Sequence, residues 1–147
     1  MYFNGDVVIT DPCYVFASDH WSGICKEELP DGSLSLRPFL KKNFICQPTV
    51  WGDWSCTVFD KNNREKEYGE FTADAGMVAV MLLDDILRYD KAYKIKPDFK
   101  EWIENHRRCA TVLKDFCGDI EYKVSEDGEH VYLEGTGTIN FITAQEV

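Results

Sequence analysis

No stretch of this sequence is apolar enough to span a bilayer: the longest apolar run, Gly76 to Leu83, falls far short of the roughly 18–20 residues a membrane helix needs. Positive charge is scarce as well. Sixteen Lys and Arg stand against 26 Asp and Glu, a formal net charge of −10, which repels phosphate backbones and anionic membrane surfaces. Direct nucleic-acid binding and membrane association are therefore not expected. The six cysteines, at 13, 25, 46, 56, 109 and 117, include no Cys-x-x-Cys pair, and no basic-then-apolar leader opens the chain. Disulfide frameworks belong mainly to secreted chains, so free thiols in a cytoplasmic protein are expected. A serine-centred nucleophile elbow, a phosphate-cradling glycine loop and a dinucleotide fingerprint are all missing, and no cofactor is expected.

What is present suits one domain over residues 1–147. The chain is 44% hydrophobic and 14% aromatic, enough apolar area, at about 25 cal/mol per Å², to form a core without cross-links. The acidic excess is dispersed in short clusters (Glu27-Glu28, Asp84-Asp85, Glu126-Asp127) that read as solubilising surface.

Strand patterns dominate. Tyr2 to Thr10 carries the β-branched run Val7-Val8-Ile9 and stops at Asp11-Pro12, because proline cannot donate to a ladder. Residues 18–48 are punctuated by glycine and proline and read as loop, with strand-like alternation only at Ser33 to Arg37. Thr49 to Asp60 reads as a half-buried strand kinked at Gly52, Lys61 to Lys66 as a charged turn, and Tyr68 to Ala73 as a strand. Asp74-Ala75-Gly76 connects it to a buried strand, Met77 to Leu83, with a short helical turn over Asp84 to Asp90. Phe99, Trp102, Ile103 and His106 share one face of a helix over residues 98–108. Asp98 and Glu101 form a capping-box start after Pro97, Arg107-Arg108 complement the dipole at the end, and His106 reads as a core histidine. The remainder reads as a meander of four strands, with turns at Cys117-Gly118, Glu126 to Gly128 and Gly135 to Gly137. The fold class expected is α+β: a mostly antiparallel twisted sheet, or a partly closed barrel, with one main helix packed on it.

Asp11-Pro12-Cys13-Tyr14 is the most distinctive short motif. A carboxylate beside a thiol at a strand end could supply a base and a nucleophile, so Asp11, Cys13 and Asp74 are the catalytic candidates of a small hydrolase or transferase. The structural reading is the favoured one: aspartate caps the turn, proline fixes it, and cysteine and tyrosine fill space beneath. An adjacent aspartate also raises a thiol pKa, against thiolate formation. Asp74-Ala75-Gly76 has the shape of an aspartic-protease loop, but Ala75 replaces the required hydroxyl and no second loop exists. His20 with Cys25, or His106 with Cys109, could chelate from a short span, yet the two closely spaced pairs of a structural zinc site are missing, and no metal is expected. Trp21, Trp51 and Trp54 could line a pocket; the ligand-binding candidates are Trp51, Trp54, Tyr14 and Gly76.

In Gly5-Asp6-x-x-Ile9-x-Asp11-Pro12-Cys13-Tyr14 and Asp74-Ala75-Gly76-Met77-Val78-Ala79-Val80, the chain resembles a loose group of small uncharacterised bacterial and phage proteins with an Asp-Pro-Cys-Tyr element and an Asp-Ser/Ala-Gly strand start. The resemblance implies a bacterial or phage-infected cytoplasm and carries over no catalytic residue. Many aromatics, an acidic surface and no complete catalytic set lead to the expected function: a non-enzymatic binding or accessory protein, a phage factor acting on a host protein or a small ligand. The alternatives are the hydrolase or transferase above and an acidic inhibitor that imitates DNA.

Overall fold

In the computed structural model, which describes residues 1–37, 40–49, 54–88, 95 and 98–145, the run Val7-Val8-Ile9 lies in β1 (Tyr2–Thr10) with all three side chains buried. A 3-10 turn (Pro12–Tyr14) follows, then α1 (Ser18–Cys25), β2 (Phe44–Pro48), β3 (Trp54–Asp60), β4 (Asn63–Ala73), β5 (Met77–Leu82), α2 (Leu83–Leu87), α3 (Phe99–Asn105), β6 (Ala110–Val124), β7 (Val131–Gly137) and β8 (Phe141–Gln145). The strands form one antiparallel sheet in the order β2-β5-β1-β6-β7-β8-β3-β4. The sheet is open, since its edge strands β2 and β4 do not pair. Together with its few short helices it is the α+β twisted sheet expected, without closure into a barrel. Among the described residues no helix is long and apolar enough to cross a membrane.

The centre of the sheet is buried on both faces, which explains the nearly continuous apolar pattern of β1 and β5. Alternate residues point opposite ways. Val8, Ala79 and Met81 face a cluster with Phe16, Ile24, Leu36, Leu40, Ile86, Phe99 and Ile103, the side covered by helices and loops. Val7, Ile9, Val78 and Val80 face a second cluster with Val58, Phe71, Phe116, Ile120, Leu133 and Phe141 from the far strands, which curl back over them. Each such large apolar side chain contributes about 1.5–3 kcal/mol.

The curl depends on β6, whose 15 residues pair with β1 through their first part and with β7 through their last. The turn expected at Cys117-Gly118 is absent. Asp115, at φ 51, makes a bulge opposite the register shift between Gly5 and Val7, and its N–H donates to Asp6 Oδ1 at 2.9 Å. The bulge bends one strand where two were expected. Gly135 to Gly137 likewise belongs to β7, and the connection falls at Thr138 to Asn140, where Asn140 Oδ1 accepts from Gly137 N.

Other boundaries shift for local reasons. Residues 18–25 are helical despite Gly23, because Trp21 and Ile24, three apart, both pack on the helix-side cluster. Ser33 to Arg37 is irregular, and the strand of that region is β2. The charged turn between β3 and β4 shrinks to Lys61-Asn62, closed by Asn62 N donating to Asp60 Oδ1 at 2.8 Å. Gly52 and Pro97, named above, lie outside the described residues, as does Trp51.

α3 is shorter than the periodicity suggests. Asp98 adopts a left-handed conformation (φ 54) and its side chain makes no capping bond, so the helix begins at Phe99. It ends at Asn105, which leaves Arg107-Arg108 in the next turn. His106 is exposed rather than in the core: its ring stacks on Trp102 with centroids 4.5 Å apart, and its Nδ1 lies 2.8 Å from Trp102 O.

Candidate functional site

The two distinctive motifs meet. Asp11, fully buried, follows β1 and faces the turn that enters β5. Its Oδ1 accepts from Cys13 N at 2.9 Å, while its Oδ2 accepts from Ala75 N at 2.7 Å and Met77 N at 3.1 Å. Burial pushes its carboxyl above the ordinary range, opposed by those three amide bonds. On its other side the turn is held by Thr49, whose N–H and hydroxyl both donate to Gly76 O, at 2.8 and 3.0 Å. Gly76 itself sits at φ 75, where a side chain would be strained. The carboxylate and the glycine thus shape backbone.

Cys13 is half-buried beside this turn. Burial first, then the charges of Asp11 and Asp74, push its thiol far up, the reverse of what a thiolate nucleophile requires. Tyr14 stacks on Trp102 with centroids 5.4 Å apart, and its hydroxyl is raised by burial and then by Asp74. Asp74 is exposed. Asp11, Cys13, Tyr14, Asp74 and Gly76 therefore lie around one turn. Trp54 opens β3 paired with Ala73, the residue before Asp74, and its buried Nε1 has no hydrogen-bond partner among the described residues. Trp21 packs on the helix-side cluster.

None of the six cysteines is in a disulfide. Neither His20 with Cys25 nor His106 with Cys109 gathers a third ligand-type group among the described residues. Asp127, Glu129 and His130 do approach one another, all exposed, but Asp127 is occupied in its own turn by Glu129 N and the Ser125 hydroxyl. The Asp84-Asp85 pair is split: Asp84 is exposed, whereas Asp85 is 1% exposed, with Oδ2 accepting from Lys42 N at 3.2 Å and Oδ1 unpartnered among the described residues.

A larger concavity lies elsewhere, a groove of about 780 Å³ bounded by α2, α3, β4 and the start of β6. Its volume falls in the range of small-molecule pockets, roughly 300–1,000 Å³. Leu83, Leu87, Ile103, Ala110 and Val112 form the apolar floor. One wall exists because β4 folds over β6: Thr111 Oγ1 donates to Glu70 O at 2.6 Å, so close that a Cβ on Gly69 would lie 2.7 Å from that oxygen.

Lys100, Arg107, Arg108 and Lys114 line the groove. The turn bearing the arginines is fixed through its carbonyls, which accept from Thr72 Oγ1 (Arg108 O, 3.0 Å), Thr10 Oγ1 (Cys109 O, 2.8 Å) and Cys109 N (His106 O, 2.9 Å). The groove was not visible as a sequence motif; its one signal was Arg107-Arg108 in an otherwise acidic chain. The chain matches no protein-family model, no curated protein and no solved structure, so no residue in either place inherits a role from a relative.

Proposed function

We propose that this protein is a non-enzymatic binding protein that takes a small ligand in the groove between α2, α3, β4 and β6. One observation carries the reading: the carboxylate best placed to act as a base, Asp11, has both oxygens engaged by backbone amides, while the large concavity is built by other residues. The raised Cys13 thiol supports it, because that group is protonated at neutral pH and flanked by carboxylates that oppose its ionisation. A preformed apolar floor with a few polar groups at the rim is the usual make-up of a small-molecule site. The resemblance at residues 5–14 and 74–80 supports an accessory role in a bacterial or phage-infected cytoplasm.

The test is a metabolite screen read by amide chemical shifts, on the wild type and on Cys13→Ser. The expected result is a compound that moves the Ile103, Ala110 and Val112 signals equally in both proteins. Turnover of an ester, thioester or peptide that Cys13→Ser abolishes while its spectrum stays folded would replace this reading with the hydrolase or transferase.

A further inference from the structure

We infer that the groove's ligand is a small amphipathic oxyanion, a carboxylate or phosphate carried on an apolar body; the inference rests on the binding reading above. The apolar half of the ligand follows from the floor. Leu83, Ile103 and Ala110 are buried by their own packing yet line the groove, so a hydrocarbon or aromatic body laid there loses water against apolar atoms. The charged half follows from the cations. Lys100, Arg107, Arg108 and Lys114 make no ion pair among the described residues, in a chain whose acidic groups outnumber its basic ones by ten.

Five acids also line the groove, Asp6, Glu67, Glu70, Asp84 and Glu104, and Glu70 and Asp84 make no ion pair among the described residues, so the preference for an anion rests on the two neighbouring arginines. Asp6 accepts from Asp115 N at 2.9 Å, and Glu67 is paired with Arg64 at 3.3 Å. Glu104 stands one helical turn before Arg107 and Arg108, the spacing at which helix neighbours pair, but α3 has ended and no pair forms. Two adjacent guanidiniums are thus displayed beside an apolar floor from a turn whose backbone is held by Thr10 and Thr72. A guanidinium presents a planar fork of donors that fits a carboxylate or phosphate through two parallel bonds, and a fixed backbone lowers the ordering cost of using it.

The experiment uses the full chain with three probes of equal chain length, each below its micelle-forming concentration: decanoate, decyl phosphate and decyltrimethylammonium. Binding is read by calorimetry and located by amide shifts of Ile103, Ala110 and Val112. The expected result is that at least one anion binds at the groove and the cation does not, with affinity falling roughly tenfold or more in Arg107→Glu/Arg108→Glu. Which anion binds more tightly identifies the headgroup as carboxylate or phosphate. Lys100→Glu serves as a second, independent variant, and the dispersion of the amide spectrum shows that each variant is folded. Binding of the cation as tightly as the anions, or anion binding unchanged by both variants, overturns the oxyanion class while leaving the groove as a ligand site. If none of the three probes moves a groove signal, the inference and the groove reading fall together.

Discussion

The turn after β1 and the groove beside α3 use charge in opposite ways. At the turn, one carboxylate is withdrawn wholly from water and given three amide donors, so its bonding capacity is consumed within the fold. At the groove, four cations make no ion pair among the described residues, and two of them stand on a turn whose backbone is held in place. A conspicuous motif with satisfied atoms holds structure together, whereas an inconspicuous set of unsatisfied atoms is left able to meet a ligand. The contrast can be broken from either side.

Asp11→Ala should give the largest effect. It leaves the Cys13 and Met77 amides without their acceptor, and we expect a loss of about 3–5 kcal/mol in denaturant unfolding. Asp11→Asn, which keeps one carbonyl oxygen, should fall between it and the wild type. A loss under about 0.5 kcal/mol in Asp11→Ala, the range of an ordinary surface change, would remove the structural role.

Gly69→Ala comes next, at about 1–3 kcal/mol. The new Cβ meets Thr111, a buried side chain held by its bond to Glu70 O, so β4 must move off β6. The same variant should weaken any groove ligand, because that contact builds one wall; ligand binding that survives intact would separate the wall from the site.

A pH series sharpens the turn side. Burial raises the folded-state Asp11 carboxyl above its unfolded value, so folding favours the protonated form. That contribution is complete below about pH 4, the unfolded carboxyl value, and is lost as pH rises through the folded-state value. Urea midpoints of wild type and Asp11→Asn should therefore draw closer as pH rises from that point, since the variant has no such carboxyl. A gap that widens over the same interval contradicts the direction.

The smallest effect is expected at the groove. Arg107→Glu/Arg108→Glu should change stability by no more than about 0.5 kcal/mol, because both side chains are exposed and neither holds an ion pair among the described residues. A loss of several kcal/mol would make the arginines structural and erase the contrast with Asp11.

The sheet was legible in the sequence wherever burial imposes a simple pattern. β1 was bounded correctly because Val7-Val8-Ile9 and Asp11-Pro12 signal a strand and its stop, and β5 was found to within Leu83, which opens α2, because its six residues are all buried. The split of residues 110–124 into two strands failed because a bulge at Asp115 and a turn at Cys117-Gly118 look alike locally; what decides is the partner strand β1, which no local pattern contains. α3 kept its Phe99 and Ile103 face but lost its ends, since Asp98 took a left-handed conformation in place of a cap.

The same limit applies to the site. Asp11 and Asp74 were joined in the sequence only as candidates of one hydrolase site, and no local pattern signalled that backbone amides of residues 75 and 77 would both donate to one oxygen of Asp11, across 64 and 66 residues of chain. The groove draws its lining from β1, β4, α2, α3 and β6, and its shape depends on β4 folding over β6. No spacing along the chain encodes that.

Native-state hydrogen exchange at the Ala75 amide bears most directly on the difference between consumed and available charge. Ala75 is exposed, in a turn, and its N–H has Asp11 Oδ2 as its acceptor, so that carboxylate is its source of protection. The account predicts slow exchange in the wild type, approaching that of β5, and exchange near the unstructured rate in Asp11→Ala under conditions where that variant stays folded. Fast exchange of Ala75 in the wild type, while β5 remains protected, would contradict it.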